Sequence, residues 1–368
     1  MEPVTRQQLS RAFLAMSHAF ASASPVTAAL CAGLGRGPTP ACEALFDQYF
    51  RIISAAHFNL PTFLAALHHM ALSGEAPSLA HFFPSCGGGF IPEEGAALIA
   101  AAERCLEERR EEVLDFLLTY EPRNHEVRRA AAVLLGALAT VERLGGGLSL
   151  VQMGAQNGLL LQFDRYAYRL GAHQLGDSPL LLETAVNGNT AAVDRLLGLG
   201  MVSVVGRLGI DQDPADLRDP EQRRIAEAFI PPDQADRLAR LRGACGLLDT
   251  AGEAPHLRRG LPELDLGRLL VEAYNEMAPG NTLLLFSLMS WTALDDEAQK
   301  RIALGVQSLA AQVRPHKPIA WLQAEEFTPG RGVLELRLHT FGWADLEDRS
   351  VVKLAEADPD LAWIRWLE

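Results

Sequence analysis

The sequence predicts an α/β protein in which an all-α N-terminal domain, residues 1–145, precedes a domain built on a mostly parallel sheet, residues 146–368. Apolar residues recur at helical spacing through the first part, whereas the second part alternates helical patterns with short continuous apolar runs. The run 283–286, Leu-Leu-Leu-Phe, has no polar residue, which is typical of strands that helices cover on both faces. The glycine triplet 145–147 separates the two patterns.

The first domain begins with a predicted amphipathic helix. Its apolar residues lie three or four positions apart: Leu9, Phe13, Met16 and Phe20. This spacing favours a helix over a secretion signal, whose apolar segment would be interrupted by Ser17 and His18. No run approaches the ~18 consecutive apolar residues of a membrane span. We therefore expect a cytoplasmic protein that does not bind membranes.

Later helices of this domain have recognisable ends. Pro92 suits the first position of a helix, and Glu93 and Glu94 favour the positive end of its dipole. The last helix carries an apolar stripe over residues 127–141, and the glycine triplet terminates it. The sequence therefore places the domain boundary at residue 145.

The second domain contains five main candidate strands and four candidate helices. The strands are expected at 148–153, 203–210, 282–288, 318–322 and 333–339, and the helices at 221–229, 234–244, 266–277 and 296–312. Residues 333–339 and 351–354 alternate more strongly between apolar and polar side chains. The sheet is therefore expected to be mixed at one edge, with antiparallel strands there.

Charge and composition exclude several classes of function. The 368-residue chain has a formal net charge of −13, which argues against a nucleic acid partner because phosphate binders present a basic face. Its five cysteines form no C-x-x-C pair, so neither a disulfide framework nor a zinc site is expected. His57, His68 and His69 lie in apolar, helical surroundings without ligand spacing. They favour core or interface histidines over a metal site.

The segment after the first candidate strand predicts a Rossmann-like cofactor site. Strand 148–153 breaks into Gly-Ala-Gln-Asn-Gly at 154–158, and a helical pattern begins at Leu159. Glycines let the backbone approach a ligand, and the N–H groups of the first helical turn would face it. The spacing is G-x-x-x-G rather than G-x-G-x-x-G, so an ordinary turn stays an equal alternative.

The ends of other strands supply further candidates, because ligands of open α/β sheets bind beyond the carboxyl ends of the strands. Asp211 ends the second strand, where a carboxylate is the usual partner of ribose hydroxyls. It lies well beyond the ~20 residues expected after the glycine turn, so residues 172–201 must loop out. The same rule selects Ser287 and Glu325. Glu325 is the candidate base, with a structural carboxylate as the alternative.

Several longer motifs resemble a bacterial family known as domain of unknown function 2332. They run through nearly the whole chain in the family's order: Asn59-Leu60, Ala65-Ala66-Leu67-His68, Phe83-Pro84-Ser85, Glu126-Val127-Arg128-Arg129, the glycine turn with Phe163-Asp164-Arg165-Tyr166-Ala167-Tyr168, Gly209-Ile210-Asp211-Gln212-Asp213-Pro214, Asp216-Leu217-Arg218-Asp219-Pro220, Ala320-Trp321-Leu322 with Glu325, Leu354-Ala355-Glu356-Ala357-Asp358-Pro359, Trp363 and Trp366-Leu367. In its sheet half the family is similar to class I S-adenosylmethionine-dependent methyltransferases.

The resemblance implies a methyltransferase-like sheet and S-adenosylmethionine as cofactor. It implies that the methionine end of the cofactor lies at the turn and its ribose near Asp211. The cofactor-binding candidates are then Gln152, Gly154, Gln156, Gly158, Asp211 and Ser287. The chain departs from the family where Gln152 replaces an acid, and where Leu288 and Ala293 replace polar residues.

Two functions follow from these observations. The first is an S-adenosylmethionine-dependent methyltransferase-like protein that acts on a small molecule or a peptide, in which positioning supplies much of the rate. The second is a non-catalytic binding or partner subunit that keeps the fold, which the replaced residues favour. A homodimer and a separate partner protein both stay open.

Overall fold

The computed structural model describes residues 3–54, 58–250, 252, 255–314, 316–341 and 349–368, so His57 lies outside the described residues. The chain divides into two compact units. The first comprises Met1–His125 and Leu217–Arg242, and the second comprises Glu126–Asp216 and Gly243–Glu368. This division differs from the predicted boundary at residue 145, both by its position and by the return of the chain to the first unit.

In chain order, the helices are α1 (Pro3–Phe20), α2 (Pro25–Arg36), α3 (Pro40–Ile52), α4 (Leu60–Leu72), α5 (Pro77–Ala80), α6 (Gly95–Glu108), α7 (Arg110–Thr119), α8 (Ala130–Leu144), α9 (Thr190–Leu197), α10 (Pro220–Ala228), α11 (Ala235–Thr250), α12 (Pro262–Glu276) and α13 (Asp296–Ala310). The strands are β1 (Leu148–Met153), β2 (Ala167–Leu170), β3 (His173–Leu175), β4 (Leu181–Gly188), β5 (Val204–Asp211), β6 (His256–Arg259), β7 (Thr282–Leu288), β8 (Ile319–Glu325), β9 (Leu334–Phe341), β10 (Arg349–Ala357) and β11 (Trp363–Trp366). No described helix combines the length and apolar composition that a membrane span requires.

The first unit is built on a core of aromatic and aliphatic side chains from its helices. The Phe63 ring lies 5.8 Å from that of Phe13 and 5.3 Å from that of Phe46, measured between ring centroids. Ile225 and Ala228 of α10 are buried in the same core. Burial of these two side chains explains why residues 217–242 belong to the helical unit, although they follow β5 in the sequence.

The second unit is built on a large mixed sheet that is mostly parallel. Its eleven described strands lie in the order β3-β2-β4-β11-β10-β9-β8-β7-β1-β5-β6. Five consecutive strands pair with one another in parallel, in the order β6, β5, β1, β7 and β8. Strand β9 then pairs antiparallel with both β8 and β10. The predicted α/β class with a mostly parallel sheet is confirmed. The antiparallel strands β9 and β10, however, lie inside the sheet rather than at the edge where they were predicted, because β11, β4, β2 and β3 continue the sheet beyond them.

Helices cover both faces of the central strands. Val151, Leu285 and Trp321 pack against α12 and α13 on one face. On the other face α8 approaches β8 so closely that a Cβ atom at Gly136 would lie 2.3 Å from Leu322 Cδ2. Since α8 packs on the sheet, it belongs to the second unit rather than to the preceding helices.

Strands with continuous apolar sequence match the predictions best. Strands β1 and β7 coincide with the predicted segments 148–153 and 282–288, and every residue of both is buried. The region 172–201, predicted to loop out, instead contains β3, β4 and α9. Alternate burial along β4 shows that only one of its faces is covered for much of its length, so it lacks the continuous apolar run of a doubly covered strand.

Candidate cofactor site

The turn after β1 has the backbone that its glycines predict. Gly154 and Gly158 adopt φ values of +68° and +71°, which L-residues with side chains rarely adopt, and Gln156 has a φ of +49°. The α-helix predicted from Leu159 is instead the seven-residue 3-10 helix Leu159–Arg165. It is followed directly by β2, so no long helix begins at this turn.

Hydrogen bonds within the protein occupy most N–H groups of the turn. Gly154 and Ala155 both donate to the carbonyl oxygen of Ile210, at 3.0 and 3.1 Å. The N–H of Leu159 donates to Asn157 Oδ1 at 3.2 Å. The prediction that the first helical turn presents free N–H groups to a ligand therefore does not hold for Leu159, because the Asn157 side chain already accepts its hydrogen bond.

Asp211 lies at this turn despite its distance in sequence. Its Oδ2 accepts a hydrogen bond from the N–H of Gln156 at 2.8 Å, and its Oδ1 accepts one from the N–H of Asp213 at 2.9 Å. Parallel pairing of β1 with β5 brings the carboxyl ends of the two strands side by side. The predicted ribose-binding carboxylate and the predicted glycine turn thus share one rim of the sheet.

Neighbouring segments pack closely against both glycines of the turn. A Cβ atom at Gly154 would lie 2.6 Å from Ser290 Cβ, and one at Gly158 would lie 2.7 Å from Pro255 Cγ. Ser290 Oγ also donates to the carbonyl oxygen of Met153 at 3.1 Å. The glycines therefore accommodate protein atoms, and the partly exposed Gln156 and Asp211 form the accessible part of the rim.

Gln152 and Ser287 lie on opposite faces of the sheet. Ser287 is aligned with Met153, whereas Gln152 is aligned with Phe286, and side chains alternate between faces along a strand. Both side chains are buried, and Gln152 Oε1 has no hydrogen-bond partner among the described residues. The two residues therefore do not form a single polar group at the turn.

The predicted base Glu325 holds the loop that follows β7. Its side chain is fully buried, and Oε1 accepts hydrogen bonds from the N–H groups of Ser290 and Trp291 at 3.3 and 3.1 Å. Oε2 accepts from the N–H and hydroxyl of Thr292 at 3.4 and 3.2 Å. Burial raises the pKa of Glu325, while the N–H donors act in the opposite direction. The carboxyl thus has the contacts of a loop anchor.

The raised pKa of Glu325 has a measurable consequence for stability. Between the ordinary value of 4.5 and the raised pKa, the folded state binds more protons at this carboxyl than the unfolded state does. The contribution of Glu325 to stability therefore falls as the pH rises through this interval. Glutamine cannot titrate, so the free-energy deficit of Glu325→Gln relative to the wild type is expected to be largest below pH 4.5 and to shrink as the pH rises.

Urea denaturation at a series of pH values measures this difference. Glu297→Gln is the control, because the Glu297 side chain is 68% exposed on α13. Its stability difference from the wild type is expected to be small throughout. If the loss of stability in Glu325→Gln instead grew with pH, the buried carboxylate would stabilise the fold in its charged form. That result would contradict a raised pKa for Glu325.

An ion pair between β5 and the 3-10 helix was not predicted. The Arg207 guanidinium donates to both carboxylate oxygens of Asp164, at 2.7 and 2.6 Å, and both side chains are mostly buried. The pairing with Arg207 fixes the segment after the turn to β5, which a local reading could not reveal.

In the first unit, His68 has both ring nitrogens hydrogen-bonded. Nδ1 donates to the carbonyl oxygen of Ala228 at 3.1 Å, and Nε2 lies 2.7 Å from Ser85 Oγ. Burial lowers the pKa of His68 to about 4. The ring is a weak base because burial disfavours its charged form, and the hydrogen bond from Nδ1 to the Ala228 carbonyl opposes this effect only in part. It therefore ties α4 to residues 85 and 228 rather than activating Ser85.

Comparison with known proteins identifies the family. No curated protein and no solved structure matches the chain. The family model described as "Uncharacterized protein conserved in bacteria (DUF2332)" matches residues 10–366, nearly the whole chain. The resemblance noted in the sequence is therefore confirmed, and the chain belongs to this bacterial family of unknown function.

Proposed function

We propose that this chain is a methyltransferase-like protein that binds S-adenosylmethionine at the turn after β1. The observation that carries the proposal is the meeting of Asp211 with the turn, through the 2.8 Å hydrogen bond from the Gln156 N–H. The proposal includes a Rossmann-like assignment for the parallel part of the sheet. It names a small molecule or a peptide as substrate.

The strand order supports the Rossmann-like assignment. Numbered by their appearance in the chain, the five consecutive parallel strands β6, β5, β1, β7 and β8 follow the order 3-2-1-4-5. After β1, the chain forms β5 and β6 on one side of it and then β7 and β8 on the other side. The strand order therefore reverses between β1 and β7. Ligands of doubly wound sheets bind outside the carboxyl ends of the strands at such a reversal, and the turn after β1 begins there, with Gly154 packed against Ser290 of the segment after β7.

The carboxylate of Asp211 retains capacity for a ligand. An ionised carboxylate offers about four lone-pair positions, and the N–H groups of Gln156 and Asp213 occupy two of them. The side chain is also partly exposed. Two ribose hydroxyls are donors of the kind that the remaining positions accept. Gln152, by contrast, is neutral and buried, so it supplies no charge to attract an ammonium group.

S-adenosylmethionine supplies an activated methyl group, and the protein's contribution to its transfer is mainly alignment of the acceptor. Glu325 is fully buried and shared among the donors of residues 290–292. We therefore do not assign it the role of base, and we assign it the role of positioning the loop beside Gly154.

A second candidate, a non-catalytic binding or partner subunit with the same fold, is favoured by the contacts of Glu325. The one carboxylate selected as a base accepts four hydrogen bonds from the protein. Leu288, at the end of β7, is apolar and 8% exposed. It stands where the family pattern described in the sequence analysis has a polar residue. Under this candidate, the rim binds a nucleoside or a partner without methyl transfer.

The proposal predicts that S-adenosylhomocysteine raises the melting temperature of the wild type by a few degrees at a hundredfold excess over its dissociation constant. Asp211→Asn is expected to weaken this binding by about tenfold or more, because hydrogen bonds to a charged group are lost. Each variant is compared with its own ligand-free melting temperature, so a change in basal stability does not affect the result.

Asp213→Asn is the matched control. Asp213 is exposed and forms an ion pair with Arg259 at 2.7 Å, two residues beyond Asp211. Its substitution is expected to leave the ligand-induced shift nearly unchanged. The proposal would be overturned if the ligand shifted the melting temperatures of Asp211→Asn and Asp213→Asn equally. It would also be overturned if millimolar S-adenosylmethionine or S-adenosylhomocysteine did not shift the melting temperature of the wild type. Either result would favour the second candidate, with a ligand or partner other than this cofactor.

A further inference from the structure

The helical unit contains a cavity of about 410 Å³, which is independent of the rim just described. This volume lies in the range of small-molecule sites. Its walls are mostly apolar and come from α1, α2, α4 and residues 228–232, represented by Phe20, Leu30, Leu64, Ala65 and Phe229. An apolar space of this size would favour a ligand with an apolar body over water.

Two polar side chains in the wall of the cavity, His68 and Thr27, are already hydrogen-bonded within the protein. Both ring nitrogens of His68 are hydrogen-bonded, to Ala228 and Ser85. Thr27 Oγ1 lies 2.6 Å from Ser24 Oγ, to which it is hydrogen-bonded. The body of a ligand lying against these residues therefore needs no polar groups to match them.

One side of the cavity differs in charge from the rest. Pro122 and Asn124 line the cavity and are exposed, so the cavity opens on their side. Arg123 and Arg237 line it as well, and the Arg237 guanidinium donates to Asn124 Oδ1 and, at 3.4 Å, to Gln234 Oε1. Among the described residues that line the cavity, none is acidic. Positive charge is thus placed at the opening of an apolar space.

We propose that this cavity binds a monocarboxylate with an apolar body, an acyl or aryl acid, whose carboxylate meets Arg237 at the opening. Guanidinium groups recognise carboxylates through charge-assisted and often paired hydrogen bonds. The apolar body would lie along α4 and residues 228–230, in the space between Leu64, Ala65 and Phe229. The inference does not rest on the proposed cofactor site.

The test is isothermal titration of the full chain with butanoate, hexanoate, octanoate and 1-octanol. Affinity is expected to increase about fourfold for each added methylene, and on the order of 200-fold from butanoate to octanoate. Arg237→Gln is expected to weaken octanoate about fivefold and to leave 1-octanol unchanged. Arg237→Lys, which keeps the charge, is expected to recover part of the loss.

Two further variants locate the binding. Ala65→Leu adds volume to the cavity wall and is expected to weaken octanoate and 1-octanol alike, with circular dichroism showing that the variant is folded. Arg301→Gln, at an exposed position of α13, is expected to change neither. The proposal is overturned if millimolar octanoate does not bind, if affinity is independent of chain length, or if Arg237→Gln and Arg301→Gln bind octanoate equally.

Discussion

Replacing Glu325 by alanine is expected to lower the free energy of unfolding by about 3 kcal/mol. The substitution removes the acceptor for the N–H groups of Ser290, Trp291 and Thr292 and for the Thr292 hydroxyl. A buried donor left without an acceptor costs about 1–3 kcal/mol, and water entering the vacated space offsets part of the total. Urea denaturation of the full chain measures the loss.

The control for this experiment is Glu297→Ala, which removes an exposed carboxylate that pairs with Arg301 at 3.1 Å on the same helix. Such a pair contributes roughly 0.3–0.5 kcal/mol. Amide hydrogen exchange adds a local readout, since faster exchange at residues 290–292 is expected in Glu325→Ala alone. A loss no larger than that of Glu297→Ala would show that Glu325 does not anchor this loop.

Gly146→Ala is the second large effect that the structure predicts, again a loss of about 3 kcal/mol or more. Gly146 has a φ of +77°, and a Cβ atom there would lie 2.0 Å from the carbonyl oxygen of Gly280. The left-handed backbone costs a residue with a side chain about 1–2 kcal/mol. The overlap adds to this cost because a backbone oxygen, unlike the end of a flexible side chain, cannot move aside without moving the chain before β7.

Gly145→Ala separates the two contributions. Gly145 has a similar φ of +73°, but no heavy atom lies within 4 Å of a Cβ atom at this position. Its ψ of −177° combined with this φ is a conformation that residues with a side chain rarely adopt, so the variant is expected to lose only the backbone strain, about 1–3 kcal/mol. Thermal or urea unfolding of both variants measures the difference. Equal losses would mean that the close approach of Gly280 adds nothing.

The central strands could be predicted because their sequence reports burial directly. All seven residues of β7 are buried, and an uninterrupted apolar run is the expected sequence of a strand covered on both faces. The end of α8 was equally clear, since Gly145 and Gly146 have the positive φ values that favour glycine. These features depend on neighbouring residues along the chain.

Features that depend on distant residues were not predicted. Strand β11 has four residues and pairs with β4 across a long stretch of sequence, and β6 is equally short. The assignment of α10 to the helical unit depends on the burial of Ile225 and Ala228 against distant helices. The spacing of apolar residues along the chain does not reveal such distant partners. The predicted domain boundary therefore followed the change of apolar pattern at residue 145.

The candidate site shows the same distinction. The rule about strand ends selected both the turn and Asp211, and parallel pairing of β1 with β5 does bring them together. It could not separate Gln152 from Ser287, which the alternation of side chains places on opposite faces. The contacts of Glu325 had one signal in the sequence, because a carboxylate ending an apolar strand must find donors if it is buried.

A crystal structure of the full chain with S-adenosylhomocysteine would show whether the turn after β1 binds this cofactor. Electron density for the ligand is expected beside Gln156, with the ribose hydroxyls within hydrogen-bond distance of the Asp211 carboxylate. Density elsewhere on the protein, with Asp211 still bonded only to the N–H groups of Gln156 and Asp213, would contradict this expectation. So would no ligand density in crystals grown at saturating concentration.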